Sequence, residues 1–122
     1  MRADGPIETV FFGGGTPSLM PPELIGDLLA DINRRWGLAT DAEISLEANP
    51  VSAPAARLQN LKAAGITRLS LGAQAFDAAA LKFLGRTHSL EQAEDAFVAA
   101  RGIFDRTSLD LIYARPDQTL DG

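Results

Sequence analysis

Apolar side chains follow two alternating spacings along this chain, short continuous runs and helical stripes. Ile7 to Phe12 is a run rich in β-branched and aromatic residues that ends in Gly13, Gly14 and Gly15, and it predicts a buried strand followed by a glycine turn. Pro21 and Pro22 then precede Leu24, Ile25, Leu28, Leu29, Ile32 and Trp36, a spacing that puts all six on one face of a helix closed by Gly37. Glu43 to Glu47 predicts a second strand. Ser52 is placed to cap a helix running through Leu58 and Leu61 to Ala64, with Gly65 as its left-handed stop. Arg68 to Leu71 predicts a third strand. Asp77 caps a short helix that carries Leu81 and Leu84 and ends at Gly85, and Ser89 with Gln92 makes a capping box for a helix holding Ala93, Ala96, Phe97 and Ala100, closed by Gly102. Ser108 to Ile112 predicts a fourth strand, after which Pro116 forbids a simple continuation. Trp36, Phe97 and Phe104 read as core.

Strands that alternate with helices in this way must pair in parallel through right-handed crossovers, so the fold class is α/β with repeated (β/α) units. A closed eight-stranded barrel needs about 250 residues. Four strands with helices on one side leave sheet edges and a face uncovered. Residues 1–122 are therefore expected to form a single incomplete domain, part of a larger TIM-type barrel, with a small doubly wound sheet as the alternative.

Composition narrows the function. The net charge is -5, and no run of Lys or Arg occurs, which argues against a nucleic-acid face and points to a small-molecule ligand. No apolar stretch approaches the roughly 20 residues a bilayer span needs, and Met1 to Gly5 has no apolar signal-like region, so a cytoplasmic protein is expected. The chain has no cysteine and one histidine. Thiolate metal sites and a cysteine nucleophile are excluded within it, and no residue of the chain is assigned as a catalytic group or a metal ligand.

In parallel α/β folds ligands sit beyond the carboxyl ends of the strands. Those positions hold Gly14, Gly15 and Thr16 after the first strand, Glu47 with Asn49 and Pro50 at the second, Gly72 and Gln74 after the third, and Asp110, Tyr113 and Arg115 at the fourth. The glycines serve either a tight turn of positive φ or close backbone approach to a ligand. A Walker loop is excluded because no Lys-Ser/Thr pair follows them, and a dinucleotide fingerprint fits poorly because Pro21 and Pro22 delay the helix. Glu47 reads either as a solvated strand end or as a two-pronged acceptor for the vicinal hydroxyls of an adenosyl group. Gln74 suits a zwitterionic ligand or a loop backbone, and Arg86 suits a carboxylate or solvent. His88 reads as a loop residue. Asp110, inside an apolar strand, needs a hydrogen-bonded or ligand partner to offset desolvation.

The segments Phe11-Phe12-Gly13-Gly14-Gly15-Thr16-Pro17-Ser18, Glu47-Ala48-Asn49-Pro50, Arg68-Leu69-Ser70-Leu71-Gly72-Ala73-Gln74-Ala75-Phe76 and Asp110-Leu111-Ile112-Tyr113 together resemble the radical S-adenosylmethionine (SAM) core of the oxygen-independent coproporphyrinogen III oxidase and heme chaperone family. The match runs in order over nearly the whole chain. The resemblance implies that Gly14, Gly15, Thr16 and Glu47 contact SAM, and that Gln74, Arg86 and Asp110 correspond to further SAM-contacting residues, associated in the oxidase branch with a second SAM. It also implies a 4Fe-4S cluster held by three thiolates, with SAM cleaved on one-electron reduction to a 5′-deoxyadenosyl radical. The cluster's Cys-x-x-x-Cys-x-x-Cys motif is missing, so its ligands are expected outside this chain, ahead of Met1. Leu84-Gly85-Arg86-Thr87-His88 looks like the heme chaperone branch, whereas Tyr113-Ala114-Arg115-Pro116 departs from the family's usual loop.

The expected function is the SAM-binding segment of a heme chaperone, with heme a ligand of the intact protein and the isolated segment inactive. The alternatives are a fragment of a true oxidase that decarboxylates a porphyrinogen, and a dinucleotide-binding oxidoreductase.

Overall fold

Short crossovers between parallel strands put successive strands side by side, and the chain follows that rule throughout. A computed structural model describes residues 4–116 and 118–120. Its elements are β1 (Ile7–Phe12), α1 (Pro22–Trp36), β2 (Leu38–Ala48), α2 (Ala55–Ala63), β3 (Arg68–Gln74), α3 (Ala78–Phe83), α4 (Leu90–Ile103) and β4 (Arg106–Leu111), with 3₁₀ turns at Pro17–Leu19 and Pro50–Ser52. The four strands form one sheet in the order β1-β2-β3-β4, and every pairing is parallel. A doubly wound sheet needs a point where the strand order reverses. This order has none, so the arrangement is an arc of a barrel.

Alternation along the strands gives the sheet two unlike faces. Ala42, Ile44, Leu46 and Ala48 of β2 and Leu69, Leu71 and Ala73 of β3 are buried. The β2 residues, with Leu69 and Leu71, join Ile25, Leu29, Leu58, Leu61, Ala96, Ala100 and Phe104 in one apolar core beneath the helices. The intervening positions are polar: Glu43, Ser45 and Glu47, then Arg68 and Ser70, then Arg106, Ser108 and Asp110. Glu43 accepts from Arg68 at 3.2 Å and also pairs with Arg106, while Arg68 donates to Ser108 at 3.1 Å. One carboxylate thus ties three strands together on the face away from the helices.

Several local expectations change. β2 starts at Leu38, directly after Gly37, and β4 runs two residues earlier than its apolar run suggests, because Arg106 and Thr107 pair with Arg68 and Leu69. Ser52 does not cap α2. Pro54 holds that position without a side-chain bond, and the Ser52 hydroxyl is engaged in a reciprocal box with Asn49. Gly102 lies inside α4, whose end is set by the Phe104 amide bonding Ala100. Of the six-residue face on α1, Ile25 and Leu29 are buried, whereas Leu24 and Leu28, one step of about 100° round the helix, are exposed. Trp36 in the last turn is 57% exposed, so it is not core, whereas Phe104 is buried and Phe97 packs against the core. The Asp77 cap and the Ser89–Gln92 box form as expected.

Leu46→Ala is expected to cost about 2–5 kcal/mol because the side chain is fully buried. Trp36→Ala is expected to cost about 0.5 kcal/mol or less, as for a surface change. Urea unfolding midpoints measure both, and a larger loss for Trp36→Ala would contradict this assignment of the core.

Candidate functional site

The site begins with the backbone of the glycine loop. Gly14 and Gly15 have φ of +85° and +53°, a left-handed conformation that costs an ordinary L-residue about 1–2 kcal/mol. No atom stands within 4 Å of where their side chains would be, so the loop presents bare backbone to open space. Phe12 pairs with Leu46, which brings the chain leaving β1 alongside Glu47. The Gly14 N–H donates to Glu47 Oε2 at 3.2 Å. The other carboxylate oxygen, Oε1, has no partner among the described residues.

The remaining strand ends complete the rim. After β2, the Asn49 side chain accepts the Ser52 N–H at 3.0 Å and so shapes the following turn. At the end of β3, Gln74 has φ of +70°, which is rare for a residue with a side chain and marks a strained position. Its carbonyl is held by the Ile112 N–H at 2.8 Å, and its side chain folds back over Gly72, where a Cβ would lie 2.9 Å from Gln74 Nε2. On β4, Asp110 accepts from the Ser70 hydroxyl at 3.0 Å. Asp110 is exposed on the polar face, with a bonded partner, and so avoids the desolvation its apolar neighbours in sequence suggested. Arg86 follows α3, and its guanidinium has no hydrogen-bond or ion-pair partner among the described residues.

These groups surround one cavity of about 260 Å³, lined by Gly15, Thr16, Pro17, Glu47, Ala48, Asn49, Ser70, Gly72, Gln74, Arg86 and Asp110. Six of the seven residues singled out from sequence stand in its wall. Gly14, the seventh, does not line it and is bonded to Glu47. The charged members are two carboxylates, Glu47 and Asp110, and one guanidinium, Arg86. Ser70 escaped notice in the sequence, although the two-residue period of β3 puts it on the same face as Gly72 and Gln74.

Other rim candidates stand apart. Tyr113 is 83% exposed and Arg115 bonds the Ile112 carbonyl at 3.2 Å; neither lines the cavity. His88 is a loop residue whose Nε2 faces the Ala73 carbonyl at 3.0 Å in a buried setting. Among the described residues no group of three His, Asp or Glu is placed to hold a metal ion, and the chain has no cysteine. The donors for a thiolate-bound cluster are therefore not in this chain. No helix among the described residues is long and apolar enough to cross a membrane.

The profile of the Radical SAM superfamily matches residues 1–122. The chain is 46% identical over 116 residues to the mitochondrial radical S-adenosyl methionine domain-containing protein 1 of Mus musculus, covering 94% of this chain and 26% of that protein. It is 42% identical over 116 residues to the heme chaperone HemW of Escherichia coli (strain K12), covering 94% of this chain and 31% of that protein. Among solved structures, the radical SAM enzyme coproporphyrinogen III oxidase (HemN) of Escherichia coli superposes with a TM-score of 0.78 at 34% identity, over 92% of this chain and 26% of that one. The chain thus spans about a quarter to a third of the length of these relatives.

Gln74→Gly is expected to leave stability unchanged or raise it by up to about 1 kcal/mol, because relief of the positive φ outweighs the added chain entropy. A loss of stability in chemical denaturation would mean that the backbone is not strained there.

Proposed function

Because this chain belongs to the radical SAM superfamily, we propose that its strand-end cavity binds SAM and that the chain is the SAM-binding segment of a heme chaperone. The observation that carries the reading is Glu47, which holds the glycine loop with one oxygen and keeps the other free at the cavity. A carboxylate so placed accepts from the vicinal hydroxyls of a ribose.

The charges fit as well. SAM carries a sulfonium, an ammonium and a carboxylate, the mirror image of the two carboxylates and one guanidinium around the cavity. In this reading Arg86 takes the ligand carboxylate in a fork, Asp110 and Gln74 face its polar groups, and Gly15 and Thr16 receive the amino-acid end through backbone while Gly14 fixes the loop to Glu47. A volume of about 260 Å³ lies just below the usual range of roughly 300–1,000 Å³ for ligand pockets. It supports one SAM, partly covered by residues outside this chain, rather than two.

In radical SAM proteins the reaction is powered by a 4Fe-4S cluster that supplies an electron to SAM. No residue here fits as its thiolate ligand, so the three cysteines are proposed to lie outside residues 1–122. What this chain contributes is binding and orientation of SAM, and the isolated segment is inactive. Heme is the proposed cargo of the full-length protein, and the cytoplasm its proposed location.

The chaperone reading is supported by the identity with HemW and by the segment Leu84 to His88. The structural likeness to coproporphyrinogen III oxidase favours a second reading, oxidative decarboxylation of a porphyrinogen. Dinucleotide binding loses its support, since the sheet has no reversal of strand order.

Glu47→Ala in the full-length protein is expected to weaken SAM binding about 10–100-fold, the range for hydrogen bonds to a charged group. Equilibrium dialysis under anaerobic conditions measures it, and an unchanged affinity would return Glu47 to a purely structural role. For the branch, heme titration followed by absorbance should show binding at micromolar concentrations with transfer to an apo-cytochrome. Absence of heme binding together with anaerobic conversion of coproporphyrinogen III would select the oxidase instead.

A further inference from the structure

The glycine loop leaves β1, turns once and meets Pro21 and Pro22, the cap and first residue of α1. Prolines have no N–H. A continuing 3₁₀ turn would bond the carbonyls of Ser18 and Leu19 to residues 21 and 22, so those two prolines remove the donors the turn needs. A buried carbonyl left without a donor is costly. For the Ser18 carbonyl the donor comes from elsewhere in the fold: Arg57 of α2 gives it its Nε–H at 2.5 Å and reaches the neighbouring Met20 carbonyl with a terminal N–H at 3.3 Å, whereas Leu19, the other residue affected, is exposed. One guanidinium thus closes the turn across 37 to 39 positions of sequence.

A second contact joins the same two loops. Ser18 is fully buried, and its hydroxyl lies 2.5 Å from that of Ser52, which is also buried. The Ser52 hydroxyl also lies 3.1 Å from the Asn49 carbonyl, so the contact between the two hydroxyls continues into the Asn49 turn. Asn49 stands two residues beyond Glu47. The loop after β1 and the loop after β2 are thereby locked to each other from below, while the Gly14–Glu47 bond joins them at the rim.

We propose that Arg57, Ser18 and Ser52 are positioning residues that hold the glycine loop against Glu47, so that ligand affinity at the rim depends on three side chains outside the cavity wall. The proposal rests on the reading of the rim as a SAM site. It assigns Arg57 a role that a surface arginine lacks: without it the turn loses both carbonyl partners, and the bare backbone of Gly14 and Gly15 loses its fixed distance from the carboxylate.

The test uses the full-length protein with its cluster intact, comparing Arg57→Ala, Arg57→Lys and Ser18→Ala by anaerobic equilibrium dialysis of SAM, thermal unfolding and hydrogen–deuterium exchange of the peptide spanning residues 11–20. Arg57→Ala is expected to weaken SAM binding roughly tenfold, the equivalent of one hydrogen-bonded contact with a charged group. Arg57→Lys, which can serve one of the two carbonyls, should recover part of that loss. In a Glu47→Ala background the Arg57→Ala change should cost less than about threefold, because the contact it acts through is gone. Faster exchange of the loop peptide should accompany each loss.

Wild-type affinity in Arg57→Ala, or a full additive loss in the Glu47→Ala background, would overturn the proposal. If the wild-type protein binds no SAM, the SAM reading fails, and the exchange data decide the positioning role: faster loop exchange in Arg57→Ala supports it and unchanged exchange sinks it. Should Arg57→Ala not fold, Ser18→Ala carries the same two readouts.

Discussion

The bond from the Gly14 amide to the Glu47 carboxylate joins the loop of one strand to the end of the next, and the rim of this sheet is organised around it. Parallel pairing sends every carboxyl end to one side, and the pairing of Phe12 with Leu46 delivers the glycines next to the acid. A carboxylate has two acceptor oxygens. Spending one on the loop fixes the loop, and the one left over gives the cavity its strongest acceptor. Any side chain at Gly14 or Gly15 would work against the left-handed backbone that lets the amide point at Glu47.

Below the rim, the same face of the sheet is polar. Glu43 is shared by Arg68 and Arg106, and Arg68 reaches on to Ser108. A half-buried network of this kind adds little net stability, since desolvation offsets much of the attraction. Its effect is directional: three strands are tied in one register on the side where no helix packs. The apolar face, with Leu46, Leu69 and Leu71 fully buried under the helices, supplies the stability that the polar face does not.

Strain is placed where binding is proposed. Gln74 keeps a positive φ that glycine would adopt freely, and it is held there by the Ile112 amide. In return its amide group lies over Gly72 in the cavity wall. Such outliers persist only where the surroundings over-determine them. The Asp110–Ser70 bond on the neighbouring strands and the buried His88 beneath Ala73 are part of those surroundings.

Much of this was legible in the residues. Runs of alternating spacing marked the four strands, and the Asp77 cap and the Ser89–Gln92 box act within a few residues of each other, so local chemistry suffices to read them. The order of glycine loop, Glu47, Gln74 and Asp110 carries the family resemblance by itself. What the residues could not reveal depends on contacts between distant segments. Ser52 looked like a helix cap and instead meets Ser18, Arg57 reaches back to a Ser18 carbonyl that Pro21 leaves without a donor, and Trp36 lies more than half exposed at a helix end. Spacing along the chain sets which way a side chain leaves its own strand or helix. Only the register of the assembled sheet decides what it meets there, because those partners lie tens of residues away.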